Sequence, residues 1–128
     1  MRRRSFLGLG PAAIALLAIG LAGCTRPIYN VASQAFANPG TFESRAVQIE
    51  RAGSGLGWQV VPVRPGVMRA TLNLRGHVAV VEITYDAQHF AIRYVDSVNL
   101  QYDGASIHKN YNGWIQNLER AISQQPSV

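Results

Sequence analysis

The chain has 128 residues, and its formal net charge of +5 comes from 12 lysines and arginines against seven acidic residues. Three of the basic residues, Arg2, Arg3 and Arg4, precede a long uncharged segment, so the rest of the chain holds nine basic residues against seven acidic ones. That balance is too even to predict a nucleic-acid partner, and the length predicts one small domain. The single cysteine, Cys24, excludes an internal disulfide and a cysteine-based metal cluster.

The N-terminal segment has the parts of an export signal. After the three arginines, Phe6–Gly23 is uncharged and largely apolar, and the segment ends on Leu21-Ala22-Gly23-Cys24. This ending resembles the lipobox of bacterial lipoproteins. The resemblance implies a signal peptide over residues 1–23, cleavage between Gly23 and Cys24, diacylglycerol on the Cys24 thiol and usually a further acyl chain, such as palmitate, on the new amine. Such a protein is anchored to a membrane and does not span it.

Other interpretations of this segment remain open. As an uncleaved transmembrane helix, the 18 residues of Phe6–Gly23 would measure about 27 Å against ~30 Å of bilayer core, and Pro11 weakens such a helix. The run from Arg3 to Leu7 is similar to the twin-arginine export signal, but any arginine-rich start before a phenylalanine gives a similar run, so both export routes stay open. Thr25 stands where an aspartate tends to retain enterobacterial lipoproteins in the inner membrane, which favours the outer membrane, facing the periplasm.

Residues 24–40 are predicted to be the lipidated cysteine and a tether. Residues 25–40 show no steady hydrophobic period, contain two prolines and end in the turn Asn38-Pro39-Gly40. The folded domain is therefore predicted to cover residues 41–125 and to fold without the residues before it.

Thr41 is predicted to be the N-cap of a first helix, with Ser44 as a weak substitute for the glutamate of a capping box. Phe42, Ala46 and Ile49 share one helical face, which predicts that this face is buried. Four polar side chains are predicted to point away from the core: Glu43, Arg45, Gln48 and Arg51. Three glycines are predicted to end the helix: Gly53, Gly55 and Gly57.

Four predicted strands follow, joined by short turns that make neighbouring strands antiparallel. Trp58–Val63 contains Pro62 and is predicted to lie at a sheet edge, and the other strands cover residues 68–75, 78–85 and 90–95. A last helix over residues 108–123 has an apolar stripe: Ile107, Tyr111, Trp114, Ile115, Leu118 and Ile122. The order α-β-β-β-β-α predicts an α+β fold, a four-stranded antiparallel meander with the N-terminal and C-terminal helices on one face.

Functional residue types are densest between residues 94 and 114. Four rings form a candidate ligand cleft, or else only pack the turn against the last helix: Tyr94, Tyr102, Tyr111 and Trp114. Asp96, Ser97 and His108 are the residue types of a hydrolytic triad, but Ser97 lacks the Gly-x-Ser-x-Gly elbow, so no catalytic residue is predicted. The three histidines show no metal-binding spacing, and neither a metal nor a cofactor is predicted.

A second candidate site is the sheet face that points away from the helices. Arg69, Arg75 and Arg93 are predicted there, beside apolar side chains, as a docking surface for an envelope protein or an anionic polymer. The alternative is an ordinary solvated face.

The mature part resembles small proteobacterial lipoproteins that end in Tyr-x-Asp-Ser-x-Asn-Leu … Tyr-Asn-x-Trp, a resemblance that implies no activity. We therefore predict a non-enzymatic, lipid-anchored envelope protein that binds a protein partner or an envelope component, and no nucleic acid. The alternative hypothesis is a small-ligand-binding lipoprotein that uses the aromatic cleft near the C-terminal helix.

Overall fold

Seven strands and two helices follow one another in residues 23–128, the part of the chain described by the computed structural model. The elements in chain order are β1 (Thr25–Pro27), β2 (Val31–Ala35), α1 (Phe42–Gly55), β3 (Gln59–Arg64), β4 (Val67–Leu74), β5 (His77–Tyr85), β6 (His89–Val98), β7 (Ser106–His108) and α2 (Lys109–Ser123). The predicted basic region and nearly all of the predicted apolar export segment, up to residue 22, lie outside the described residues.

The main sheet has five antiparallel strands in the order β2-β6-β5-β4-β3, and β1 pairs with β7 in a separate two-stranded ladder. The predicted α+β class, with two helices and an antiparallel sheet, is confirmed. The predicted count of four strands is wrong, because β2 adds a fifth strand beside β6. β3 lies at the opposite edge, as Pro62 predicts, since proline has no N–H to donate to a second neighbour.

The turns between β3, β4 and β5 use residues that accept left-handed backbone angles. Gly66 follows Pro65 in the first turn and has a φ of 81°, as the third residue of a type II turn requires. Arg75 and Gly76 join β4 to β5 with φ values of 52° and 82°, the signs of a type I′ hairpin. The twist of such a turn matches that of the strands, so Leu74 pairs directly with His77.

One core lies between the sheet and the two helices. Inward-facing side chains of β4 and β5 pair across the strands and are buried: Met68 with Ile83, Ala70 with Val81 and Leu72 with Ala79. The two helices contribute fully buried side chains to the same core: Ile49 from α1, and Tyr111, Ile115, Leu118 and Ile122 from α2. The predicted stripe of α2 is therefore buried, except that Trp114 is only half-buried.

Helix α1 begins at its predicted capping box. The Thr41 hydroxyl oxygen accepts the Ser44 backbone N–H at 3.1 Å, and the Ser44 hydroxyl oxygen accepts the Thr41 N–H at 2.9 Å. Near the end of the helix, a Cβ on Gly53 would lie 2.4 Å from a methyl carbon of Val60. The absence of a side chain at Gly53 therefore lets α1 approach β3.

The predicted tether at residues 25–40 is wrong, because these residues are part of the domain. Thr25 lies opposite His108 in the β1–β7 ladder, and β2 pairs with β6. Val31 and Phe36 are buried in the core. β2 is short, and its register with β6 is irregular, so it buries too few side chains to show a period in the sequence. The predicted domain start at residue 41 is wrong for the same reason, since the fold begins next to Cys24.

Arg45 and Gln48 are buried, contrary to the prediction that they point away from the core. The chain that follows β2 covers this side of α1. The Arg45 guanidinium donates hydrogen bonds to Gln48 Oε1 and to two backbone carbonyls, and its central carbon lies 4.0 Å from the centre of the Phe36 ring. Burial lowers the pKa of Arg45, but the neutral oxygens and the ring face compensate for the lost water.

Candidate functional site

Cys24, the predicted lipidation site, is exposed and lies directly before β1. Its carbonyl oxygen accepts the backbone N–H of Lys109 at 3.2 Å, at the start of α2. The carbonyl of Gly23, on the other side of the predicted cleavage point, accepts a hydrogen bond from the Arg26 guanidinium at 3.1 Å. The thiol is thus open to solvent while the backbone beside it is held by the domain. The other residues of the predicted lipobox, 21 and 22, lie outside the described residues.

The three arginines of the predicted partner surface do not form one group. Arg69 and Arg93 lie on the sheet face away from the helices, each opposite Glu82 on the strand between them. The Arg69 guanidinium lies 3.7 Å from the Glu82 carboxylate, and because both are partly exposed the pair adds little to stability. Arg75 lies instead in the turn between β4 and β5, at the end of the sheet.

Apolar side chains lie beside the charges on this sheet face. Val61 pairs with Arg69 and is 50% exposed, and Val95 is 38% exposed at a bulge in β6. Two carboxylates on the same strands, Glu82 and Asp96, balance Arg69 and Arg93. A mixed face with balanced charge does not favour an anionic polymer as its partner.

Three of the four rings in the predicted ligand cleft contact one another. The ring centres of Tyr94 and Tyr102 lie 4.1 Å apart, and those of Tyr94 and Tyr111 lie 5.9 Å apart in an edge-to-face arrangement. The hydroxyl groups of Tyr94 and Ser97 are 2.7 Å apart, because the bulge in β6 turns both side chains to the same side. Rings in such contact fill the space between them, so the tyrosines form a packed cluster and leave no cleft.

Tyr111 is the fully buried member of this cluster. Its hydroxyl has no hydrogen-bond partner among residues 23–128, and leaving such a group unpaired costs about 1–3 kcal/mol. Burial raises the pKa of Tyr111, and the nearby Tyr94 and Tyr102 raise it further. The hydroxyl therefore stays neutral at physiological pH.

Trp114, the fourth ring of the predicted cleft, lies elsewhere. It lines an apolar cleft of about 200 Å³ between α2, the end of α1 and the end of β4. Trp58 lies in the same cleft and is buried, whereas Leu56 and Leu74 beside it are each 41% exposed. Sites for small molecules usually measure about 300–1,000 Å³, so this cleft has room for one or two apolar groups and not for a larger ligand.

Asp96, Ser97 and His108 do not meet in the geometry of a hydrolytic triad. The Ser97 hydroxyl pairs with Tyr94, and the Asp96 carboxylate accepts the backbone N–H of Ser97 at 2.8 Å. His108 Nδ1 accepts the Asn110 N–H at 3.1 Å and so caps α2. Each side chain therefore has a local structural partner.

Several residues that line the cleft with Trp114 are not among the site residues predicted from the sequence, among them Leu56, Trp58 and Leu74. Leu56 offered one signal, because it is a large apolar side chain between two glycines, Gly55 and Gly57, at the point where the first helix ends. Trp58 and Leu74 look like ordinary strand residues. The antiparallel pairing of β3 with β4 places the start of one strand beside the end of the other, and α2 adds Trp114.

Within residues 23–128, no group of three histidine, cysteine, aspartate or glutamate side chains is arranged to hold a metal ion. None of the helices in that range has both the length and the apolar character needed to cross a bilayer. No family model, no curated protein and no solved structure matches this chain.

Proposed function

We propose that the chain is a non-enzymatic, lipid-anchored protein of the cell envelope that binds a protein partner. The observation that carries the anchor is the ending Leu21-Ala22-Gly23-Cys24, which follows a basic start and an uncharged apolar segment. The exposed position of Cys24 outside the first strand suits a residue that bears acyl chains. Thr25, directly after the cysteine, favours the outer membrane, facing the periplasm.

The sheet face with Arg69, Glu82 and Arg93 is the surface that best fits a protein partner. Both helices pack on the other side of the sheet, so no helix in residues 23–128 covers this side. Protein interfaces combine an apolar centre with arginine side chains and a polar rim, and Val61 and Val95 supply the apolar part here.

The alternative, a small ligand held by four aromatic rings, has less support. Tyr94, Tyr102 and Tyr111 contact one another, and Trp114 lines a different cleft. The rings therefore do not surround one shared space.

The anchor is tested with the full chain and its Cys24→Ser variant, both expressed in a Gram-negative host grown with a radioactive fatty acid. We expect label and the mass of a chain that begins at Cys24 for the unaltered protein only. The variant should keep its N-terminal segment or be cut elsewhere, and should carry no label. Equal labelling of both proteins, or of neither, would contradict the proposed anchor.

The partner surface is tested by placing a photo-reactive amino acid at Val61, at Val95 and, as a control, at the exposed Gln116 on α2. In cells that naturally make the protein, we expect cross-linked bands of the same mass from positions 61 and 95 and none from position 116. Arg93→Glu should weaken both bands, because it reverses a charge in the middle of the face. Bands of equal strength from all three positions would contradict a specific partner surface.

A further inference from the structure

Cys24 lies at one end of the domain, where several segments of the chain meet. Thr25 pairs with His108, and the Cys24 carbonyl accepts the Lys109 N–H, so the anchor residue is fixed beside the first turn of α2. No linker separates it from the fold. Acyl chains on Cys24 would therefore hold this end of the domain directly at the lipid surface.

The β4–β5 turn belongs to the same end. The ring centre of His77 lies 6.4 Å from that of His108. His77 Nδ1 lies 2.8 Å from the Asn99 carbonyl oxygen, and Asn99 Nδ2 donates to the Gly76 carbonyl at 2.7 Å. The turn at residues 75–76, the loop at residues 99–105 and the β1–β7 ladder are thus joined, and we call this region, together with the cleft at Trp114, the anchor end.

The anchor end exposes large apolar side chains. Leu56 and Leu74, at the cleft, are each 41% exposed, and Tyr102 in the loop is 40% exposed. The His77 ring links the cleft to the ladder, since its centre lies 6.5 Å from that of Trp114. Leucine and tyrosine side chains are the kinds that enter the boundary between headgroups and acyl chains.

The charges of the anchor end are mostly basic. Arg26, Arg75 and Lys109 are exposed there, and they come from three different segments. Asp103 is the acidic residue of the loop, and its carboxylate accepts the backbone N–H groups of Ala105 and Ser106. These hydrogen bonds hold the pKa of Asp103 below its usual value, so one fixed negative charge faces three positive ones.

We propose that the anchor end lies on the membrane and binds anionic phospholipid headgroups through Arg26, Arg75 and Lys109, while Leu56, Leu74 and Tyr102 enter the interfacial layer. This inference rests on the proposed lipidation of Cys24, which places a bilayer within one residue of this surface. Three features favour a bilayer as the occupant of this surface. They are its basic charge, its exposed apolar side chains and the absence of a linker between Cys24 and the fold. The sheet face with Arg69 and Arg93 then stays free for a protein partner.

The test uses the two tryptophans of the chain, Trp58 and Trp114, which both line the cleft. The full chain is expressed, purified from bacterial membranes and reconstituted into phosphatidylcholine vesicles with or without phosphatidylglycerol, prepared with brominated acyl chains that quench nearby tryptophans. We expect at least a two-fold loss of fluorescence in the vesicles with phosphatidylglycerol, and less in phosphatidylcholine alone.

The test variant carries Arg26→Gln, Arg75→Gln and Lys109→Gln. A basic side chain near an anionic surface changes a binding constant by about five-fold, so three changes should shift the docked population by about 100-fold and abolish most quenching. The control variant carries Arg51→Gln, Arg64→Gln and Arg120→Gln, three exposed arginines outside the anchor end, and should be quenched like the unaltered protein.

The intact mass of each protein reports whether acyl chains are present, independently of the fluorescence. An acylated protein without quenching would overturn the membrane-facing end and leave the proposed anchor standing. A protein without acyl chains would overturn the proposed anchor, and this inference with it. Quenching that persists in the test variant, or that is lost equally in the control variant, would show that these three side chains do not bind the headgroups.

Discussion

The two helices are buried in different ways. α2 presents an apolar stripe to the sheet, and its polar side faces solvent. α1 presents Ile49 to the same core, but its polar residues Arg45 and Gln48 are buried as well. The side of α1 that bears these residues is covered by the chain that follows β2 and by the C-terminal tail.

The segments that cover the polar side of α1 are held there by polar contacts between distant parts of the chain. Gln48 Nε2 donates to the Pro126 carbonyl at 3.0 Å, and the Ala37 N–H donates to the Ser123 carbonyl at 2.9 Å. Arg45 holds the Asn38 carbonyl at 3.0 Å. The comparison shows that a polar helix side can be interior when a non-local segment supplies its hydrogen bonds.

Removal of the N-terminal segment should have the largest effect, because it uncovers the polar side of α1. We expect an unlipidated chain that begins at residue 24 to unfold cooperatively. For a chain that begins at residue 40, we expect the free energy of unfolding to be lower by about 5 kcal/mol or more. The shorter chain lacks the fifth strand, the buried Val31 and Phe36, and the ring over Arg45. Urea unfolding followed by circular dichroism measures the effect. Equal midpoints would mean that residues 25–39 are a tether after all.

The substitution Arg45→Met tests the polar covering without removing a strand. It leaves the Ala87 and Asn38 carbonyls and Gln48 Oε1 without the donor they now have, so we expect a loss of about 2–3 kcal/mol in the free energy of unfolding. Arg51→Met, an exposed position on the same helix, is the matched control and should change it by less than about 0.5 kcal/mol. An equally small effect at both positions would show that the buried guanidinium adds nothing to the stability of the domain.

On α2, neighbouring residues of the stripe should differ. Ile115 is fully buried, and Ile115→Ala should cost about 2–5 kcal/mol. Trp114→Ala should cost less, about 1–2 kcal/mol, because Trp114 is half-buried at the edge of the cleft. Gln116→Ala, at an exposed position, serves as the control. A denaturant midpoint that is lower for Trp114→Ala than for Ile115→Ala would contradict the edge position of the indole.

The smallest expected effect is a gain in the stability of the domain. Tyr111→Phe removes a buried hydroxyl without a partner in the described part of the chain, and it should stabilise the domain by about 1 kcal/mol at neutral pH. Above the usual pKa of 10.0, the unfolded state ionises at Tyr111 while the folded state keeps it neutral, so the unaltered protein loses stability through Tyr111. The variant lacks this loss and keeps only the losses at tyrosines that both proteins share, such as Tyr29 and Tyr94, whose pKa values are also raised. Thermal unfolding at pH 7 and pH 10.5 should show a larger difference at the higher pH; a loss of stability at pH 7 would indicate that the hydroxyl has a partner.

Local signals were enough to predict much of the fold. The short turns between strands, the capping box at Thr41 and the stripe of α2 each depend on neighbouring residues, so the sequence alone shows them. The pairing of β2 with β6 depends on residues about sixty positions apart, and β2 is too short to show alternation. The burial of Arg45 could not be predicted for the same reason, since its partners come from distant segments.

The candidate sites show the same limit. Tyr111 and Trp114 belong to one predicted stripe, but they lie on different sides of it, toward the tyrosine cluster and toward the cleft. Arg69 and Arg75 look alike in an alternating segment, yet β4 ends at Leu74 and Arg75 falls in the turn. Residue type and period predicted which side chains were candidates. The side of the helix on which each residue lies, and the residue at which each strand ends, decided which of them meet.

The joining of the first and last parts of the chain also sets an order of events. The Tyr29 N–H donates to Asn112 Oδ1 at 2.9 Å across 83 positions, and β1 has no partner until β7 exists. Contacts of such separation form late and slow the folding of a small domain. If the chain is exported unfolded and N-terminus first, the proposed anchor residue Cys24 would emerge on an unpaired segment, where an acylating enzyme could reach it. Closure of the β1–β7 ladder afterwards would then draw Cys24 against the domain.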